Sequence, residues 1–142
     1  MYEKETEELF SQLKEDADIN RFMSENKREM AKPLHIYLED LLAQKQLNKN
    51  EVVKDSRLDR TYAYHIFSGD KKNPSRPKLL ALAMAMHLNL AETQYLLRYA
   101  GLGILYPRHP WDSVIISALE RGLSVNDANN LLDSLGEKEL LG

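Results

Sequence analysis

The chain's 142 residues, 43% of them apolar and 29% charged, suffice for one domain with a packed core and hardly for two. Cysteine is absent, which excludes disulfides and thiolate metal sites; no stretch approaches the roughly 20 apolar residues that cross a bilayer, and the acidic start lacks the features of a signal peptide, so a cytoplasmic protein without a membrane partner is expected. The net charge of −3 opposes binding to a polyanion, but it averages a basic middle (nine Lys/Arg against six Asp/Glu over 33–78) between acidic flanks (six against nine over 1–32, four against seven over 79–142).

No run shows the period-two alternation of a strand, and the chain reads as helices throughout. A first helix over 4–15 carries Leu9, Phe10 and Leu13 on one face. A second, over 19–30 behind Asp18 as cap, carries Ile19, Phe22, Met23 and Met30. These form an acidic arm, 1–32. Pro33 suits a first helical turn, and Leu34, Tyr37, Leu38, Leu41 and Leu42 then recur with helical period to about 46. Asn48 with Glu51 starts a short helix over 49–56, and Asp59 caps another over 60–67 that Ser68-Gly69 ends. The stretch from Asp70 to Lys78 holds turn formers and the cations Lys71, Lys72, Arg76 and Lys78, and reads as a loop.

Beyond the loop the chain repeats itself with an offset of 35 residues. Leu88-Asn89-Leu90-Ala91-Glu92, leading to Gly101, matches Leu123-Ser124-Val125-Asn126-Asp127, leading to Gly136. In each copy a polar cap is followed three residues later by an acid, the pattern of a capping box. The helices before them, 78–87 and 110–121, correspond as well. Two helical hairpins are therefore expected: the first completes a core over 33–101, and the second, 102–142, docks on it or serves interaction.

At about 100° per residue, Ala63, Ile66 and Phe67 share one side of the helix over 60–67, and Thr61, Tyr64 and His65 lie opposite, with Arg60 in the first turn. One side is core; the other presents donors and acceptors suited to base edges. From Leu34 to Leu96 the chain resembles the Cro/C1-type helix-turn-helix proteins, the XRE family. The likeness is carried by Leu47-Asn48-Lys49, Glu51, Val52-Val53, Ser56-Arg57-Leu58, the helix from Arg60 to Gly69, Lys71-Lys72-Asn73-Pro74-Ser75, and Leu79-Leu80-Ala81-Leu82-Ala83. It departs from the family at Lys49 (commonly Gln), Val53 (commonly Ala) and Arg57 (commonly Gly). A non-Gly residue in a left-handed turn costs about 1–2 kcal/mol, so the turn at Arg57 either carries that strain or differs in form.

The resemblance implies an all-α, lambda-repressor-like helix-turn-helix domain with an N-terminal helical arm and an additional C-terminal hairpin. It also implies a sequence-specific regulator that binds double-stranded DNA as a homodimer. Arg60, Thr61, Tyr64 and His65 are then the candidates for base contact, and Lys49, Arg57, Lys71 and Lys72 those for phosphate. No cofactor or metal follows: the four histidines are scattered, and no nucleophile elbow, phosphate loop or carboxylate pair suggests an enzyme. The connection over 102–111, which contains Tyr106-Pro107-Arg108-His109-Pro110-Trp111, reads first as a packed lid over a core, with a site for a ligand or partner as the other reading. A second reading stays open, in which the chain is an adaptor that keeps the fold but binds a protein through 1–32 or 102–142.

Overall fold

A computed structural model describes residues 4–15 and 18–141; residues 1–3 at the start of the arm, 16–17 between its helices, and 142 lie outside the described residues. Every regular element among the described residues is helical, and no helix among them is long and apolar enough to cross a membrane. The chain divides into two compact units, residues 1–32 and 33–142.

The first unit holds α1 (Thr6–Glu15), α2 (Ile19–Glu25) and a 3-10 turn over Lys27–Glu29. Asp18 caps α2 as its carboxylate accepts from the Arg21 N–H at 3.2 Å. The helix ends at Glu25, earlier than the apolar spacing up to Met30 suggests. Asn26, almost fully buried, explains this: its amide donates to the Phe22 carbonyl and to Gln12 Oε1, both at 3.0 Å, and its Oδ1 accepts from Lys4 Nζ at 2.6 Å. An Asn side chain that bonds the backbone in this way competes with helix continuation.

The second unit comprises α3 (Leu34–Gln44), α4 (Lys49–Asp55), α5 (Arg60–Ser68), α6 (Arg76–Ala85), α7 (Leu90–Tyr99), α8 (Pro110–Glu120) and α9 (Val125–Ser134). Its centre is α6, in which every residue from Leu79 to Ala85 is buried. A helix apolar on all sides needs neighbours on all sides, and α4, α7 and α9 supply them. One continuous apolar cluster runs from Tyr37 through the helices to Leu140.

The connections α3–α4, α6–α7 and α8–α9 share one form. Gln46, His87 and Gly122 take left-handed φ values of 54°, 56° and 64°. The N–H of the leucine that follows, Leu47, Leu88 or Leu123, then reaches back to the carbonyl of Leu42, Ala83 or Ala118 at 2.9–3.0 Å. This is a Schellman closure. Asn48, Asn89 and Ser124 next cap the following helices through the N–H groups of Glu51, Glu92 and Asp127. The duplication seen in the sequence thus extends to a third hairpin, α3–α4. The full capping box forms at Asn89, whose own N–H donates to Glu92 Oε1 at 2.9 Å. At Asn48 and Ser124 only the forward bond forms.

Helix α6 begins at Arg76, two residues before the start expected from its apolar face. Pro77 is acceptable in a first turn, where its missing N–H would have no helical partner. Arg76 therefore belongs to the helix and not to the basic loop. Its guanidinium grips both oxygens of Asp112 at 2.9 Å, and donates to the carbonyls of Gly103 at 2.8 Å and Ile104 at 3.0 Å. Asp112, only 4% exposed, also accepts from the Tyr106 N–H at 2.9 Å. Burial works to raise the Asp112 carboxyl, but the hydrogen bonds from Arg76 and Tyr106 and the nearby positive charge outweigh it and hold the group below its ordinary range.

Asp112→Asn leaves the guanidinium without its counter-charge and is expected to cost about 2–4 kcal/mol near neutral pH. A carboxyl with a lowered folded pKa stabilises the native state fully above its unfolded value near 4 and loses that effect as pH falls through the folded value. Urea unfolding of parent and variant from pH 7 down to pH 3 should show the gap closing at the acid end. A gap independent of pH contradicts this account.

Candidate nucleic-acid interface

Two short helices joined by a tight turn, α4 and α5, hold the candidate residues. Val52 and Val53 bury one side of α4, and Ala63, Ile66 and Phe67 bury one side of α5. The turn between them is set by Ser56, which is fully buried: its hydroxyl donates to the Val53 carbonyl at 2.7 Å and accepts from the Leu58 N–H at 3.3 Å. Arg57 takes a left-handed φ of 61°, so the turn carries the strain that a glycine would avoid. Asp59 then caps α5 by accepting from the Tyr62 N–H at 3.0 Å.

The far end of α5 is closed by Gly69, at φ 91°. A Cβ there would stand 2.8 Å from Nδ1 of His35 on α3, so glycine is required both by its backbone and by the close approach of this ring. The Lys71 N–H donates to the His65 carbonyl at 3.0 Å, which ties the first residues of the basic loop to the last turn of the helix.

On this frame Arg60 and Thr61 are exposed, and Tyr64 and His65 are half-buried. The Arg60 guanidinium lies 5.7 Å from the centre of the Tyr64 ring, and the Tyr64 hydroxyl donates to Asn50 Oδ1 on α4. Arg60 and Tyr64 thus stand together, and Thr61 and His65 follow one turn apart on the adjoining strip of the helix. A hollow of about 380 Å³ between α4 and α5 is lined by Asn50, Val53, Lys54, Leu58, Arg60 and Tyr64.

The cations are arranged unevenly. Arg57 is exposed in the turn before α5, and Lys71 and Lys72 are exposed in the loop after it. Lys49 is held by the carboxylate of Glu39 and lies 5.6 Å from the centre of the Phe67 ring. The structure adds residues that the sequence reading did not single out. Asn50 orients Tyr64, and Tyr62 lies beneath Lys78 and Lys71, whose ammonium groups are 4.0 and 5.8 Å from its ring centre. Neither pairing has a local sequence signal, since Asn50 and Tyr64 are 14 residues apart.

No protein-family model, curated protein or solved structure matches the chain.

The orientation of α5 rests on Phe67, 3% exposed in its last turn. Phe67→Ala is expected to destabilise the second unit by about 3–5 kcal/mol. A thermal melt of the variant that coincides with the parent's would mean that α5 presents a different face.

Proposed function

We propose that residues 33–101 form a lambda-repressor-like helix-turn-helix domain of the Cro/C1 type. In this reading the protein is a cytoplasmic regulator of transcription that reads double-stranded DNA by sequence and has no catalytic role or cofactor. The observation that carries it is the outward row of α5. Arg60, Thr61, Tyr64 and His65 stand on a helix capped at its start by Asp59 and closed at its end by Gly69, with Arg57 just before it and Lys71 and Lys72 just after.

Helix α5 enters the major groove with this row toward the bases. Arg60 meets the acceptor edge of a guanine, Thr61 and His65 meet neighbouring base edges, and Tyr64, steadied by Asn50, supports Arg60 from beneath. Arg57, Lys71 and Lys72 meet phosphates on either side. Lys49 does the same only by exchanging Glu39 for phosphate. A homodimer then engages two half-sites about 34–36 Å apart.

A second reading, an adaptor that binds protein, is favoured by one feature. The acidic arm leaves Phe10, Leu13, Ile19 and Met23 between 42% and 55% exposed, more apolar surface than so short a segment needs for its own packing.

Arg60 and Lys72 separate the two readings. Arg60→Ala should cost about 1–3 kcal/mol on the preferred site and relax the preference at one base pair, with the salt slope little changed. Lys72→Ala should weaken all sequences alike and reduce the salt slope by about one. If both variants bind every duplex as the parent does, α5 and its loop are not the DNA contact and the adaptor reading takes its place.

A further inference from the structure

One hollow of the second unit is lined by none of the outward row of α5. It is a groove of about 910 Å³ between the turn before α5, the start of α6, and the segment after α9. This is within the range of about 300–1,000 Å³ typical of small-molecule sites. Its walls are mainly apolar, with Leu58, Tyr62, Pro77, Trp111 and Leu140 contributing.

The walls are held in place before any ligand arrives. The Trp111 indole N–H donates to the Lys138 carbonyl at 2.8 Å. The Asn129 side chain accepts from the N–H groups of Leu140 at 2.7 Å and Leu141 at 3.2 Å, and donates to the Leu141 carbonyl at 3.3 Å. The segment after α9 is thereby strapped across α8 and α9 and closes one side of the groove. A preformed wall lowers the ordering cost of binding.

The polar groups of the groove are not equivalent. Its charged lining is four cations, Arg57, Arg76, Lys78 and Lys138, against two carboxylates, Asp59 and Glu139; Arg76 is committed to Asp112, and Asp59 accepts from the Tyr62 N–H. Arg57 and Lys78 pair with no carboxylate among the described residues. Lys78 lies over the face of Tyr62 at 4.0 Å, so its positive charge stands directly above an apolar floor. An apolar floor beneath a cation that lacks a counter-ion complements a molecule with an apolar body and one negative charge.

We infer that this groove is a binding site for a small apolar carboxylic acid, its body against Tyr62, Trp111 and Leu140 and its carboxylate on Lys78 and Arg57. The ligand would touch Asp59, the cap of α5, and would engage Arg57, which the proposed function also places at a phosphate. The site stands on its own geometry, and its test needs no DNA.

The test uses the full chain and three probes of nearly one shape: 2-naphthoate, uncharged 2-naphthylmethanol and cationic 2-naphthylmethylamine. Binding is read by calorimetry and by the indole N–H resonance of Trp111, which is unambiguous because the chain has a single tryptophan. The expected result is saturable binding of 2-naphthoate that shifts this resonance, at least about tenfold tighter than the alcohol, as befits a hydrogen-bonded charge. The amine should bind weakest. Lys78→Gln and Arg57→Gln, checked for retained helicity, should each reduce naphthoate affinity severalfold and leave the alcohol unchanged. The inference is overturned if the acid and the alcohol bind alike, if the amine binds as well as the acid, or if no probe moves the Trp111 resonance at millimolar concentration.

Discussion

Four hydrogen bonds from one guanidinium, that of Arg76, join the start of α6 to the segment from Gly103 to Asp112. The basic loop after α5 ends where this side chain begins, so the exit of the loop, the first turn of α6 and the entry to α8 share one fixed point. Such a pair is not a large source of net stability, since taking both charges out of water costs nearly what their attraction returns. Its effect is geometric. With the Asp112 oxygens both engaged by Arg76 and one also by the Tyr106 N–H, few other positions of the second hairpin leave these groups satisfied. The groove wall at Trp111 lies beside that fixed point, its ring 5.9 Å from the Arg76 guanidinium, whereas Lys71 is tied to α5 through the His65 carbonyl.

Three of the six connections between helices of the second unit repeat one turn. A left-handed residue, a leucine that closes the preceding helix, and a polar cap for the next recur at Gln46-Leu47-Asn48, His87-Leu88-Asn89 and Gly122-Leu123-Ser124. Only the last uses glycine at the left-handed position; the other two carry the strain of a side chain there. The leucine N–H bond and the burial that accompanies it outweigh that cost. Arg57 makes the same choice in the turn before α5, where the buried Ser56 hydroxyl holds the backbone on both sides.

Local chemistry was the part most legible in the sequence. The caps Asp18, Asn48, Asp59, Asn89 and Ser124 all accept the N–H expected of them, and the buried side of α5 is the one its periodicity indicates. Such features depend on residues three or four apart, and a sequence displays them directly. What escaped it depends on residues far apart. Arg76 looked like one more cation of a loop because Asp112, which claims it, lies 36 residues away. The early end of α2 escaped because Asn26 is held by Gln12 on another helix. Trp111 reads first as a lid, and its indole N–H is tied down at Lys138; the groove beside it is assembled from segments far apart in the chain, which no local pattern displays. Within the candidate interface, the contact of Lys49 with Glu39 and that of Tyr64 with Asn50 were hidden for the same reason.

The charge distribution draws these points together. A chain of net charge −3 suits DNA only if its cations are concentrated on one surface. Here Arg57, Arg60, Lys71 and Lys72 are exposed around α5, while Arg76 and Lys49 are engaged by carboxylates within the fold. The central claim is that this small exposed group, with Thr61, Tyr64 and His65, reads a base sequence. Selection of fragments bound by the full chain from random double-stranded DNA tests it most directly. The account predicts an enriched motif with two related half-sites about one helical turn apart. Recovery of fragments without any shared motif would contradict it.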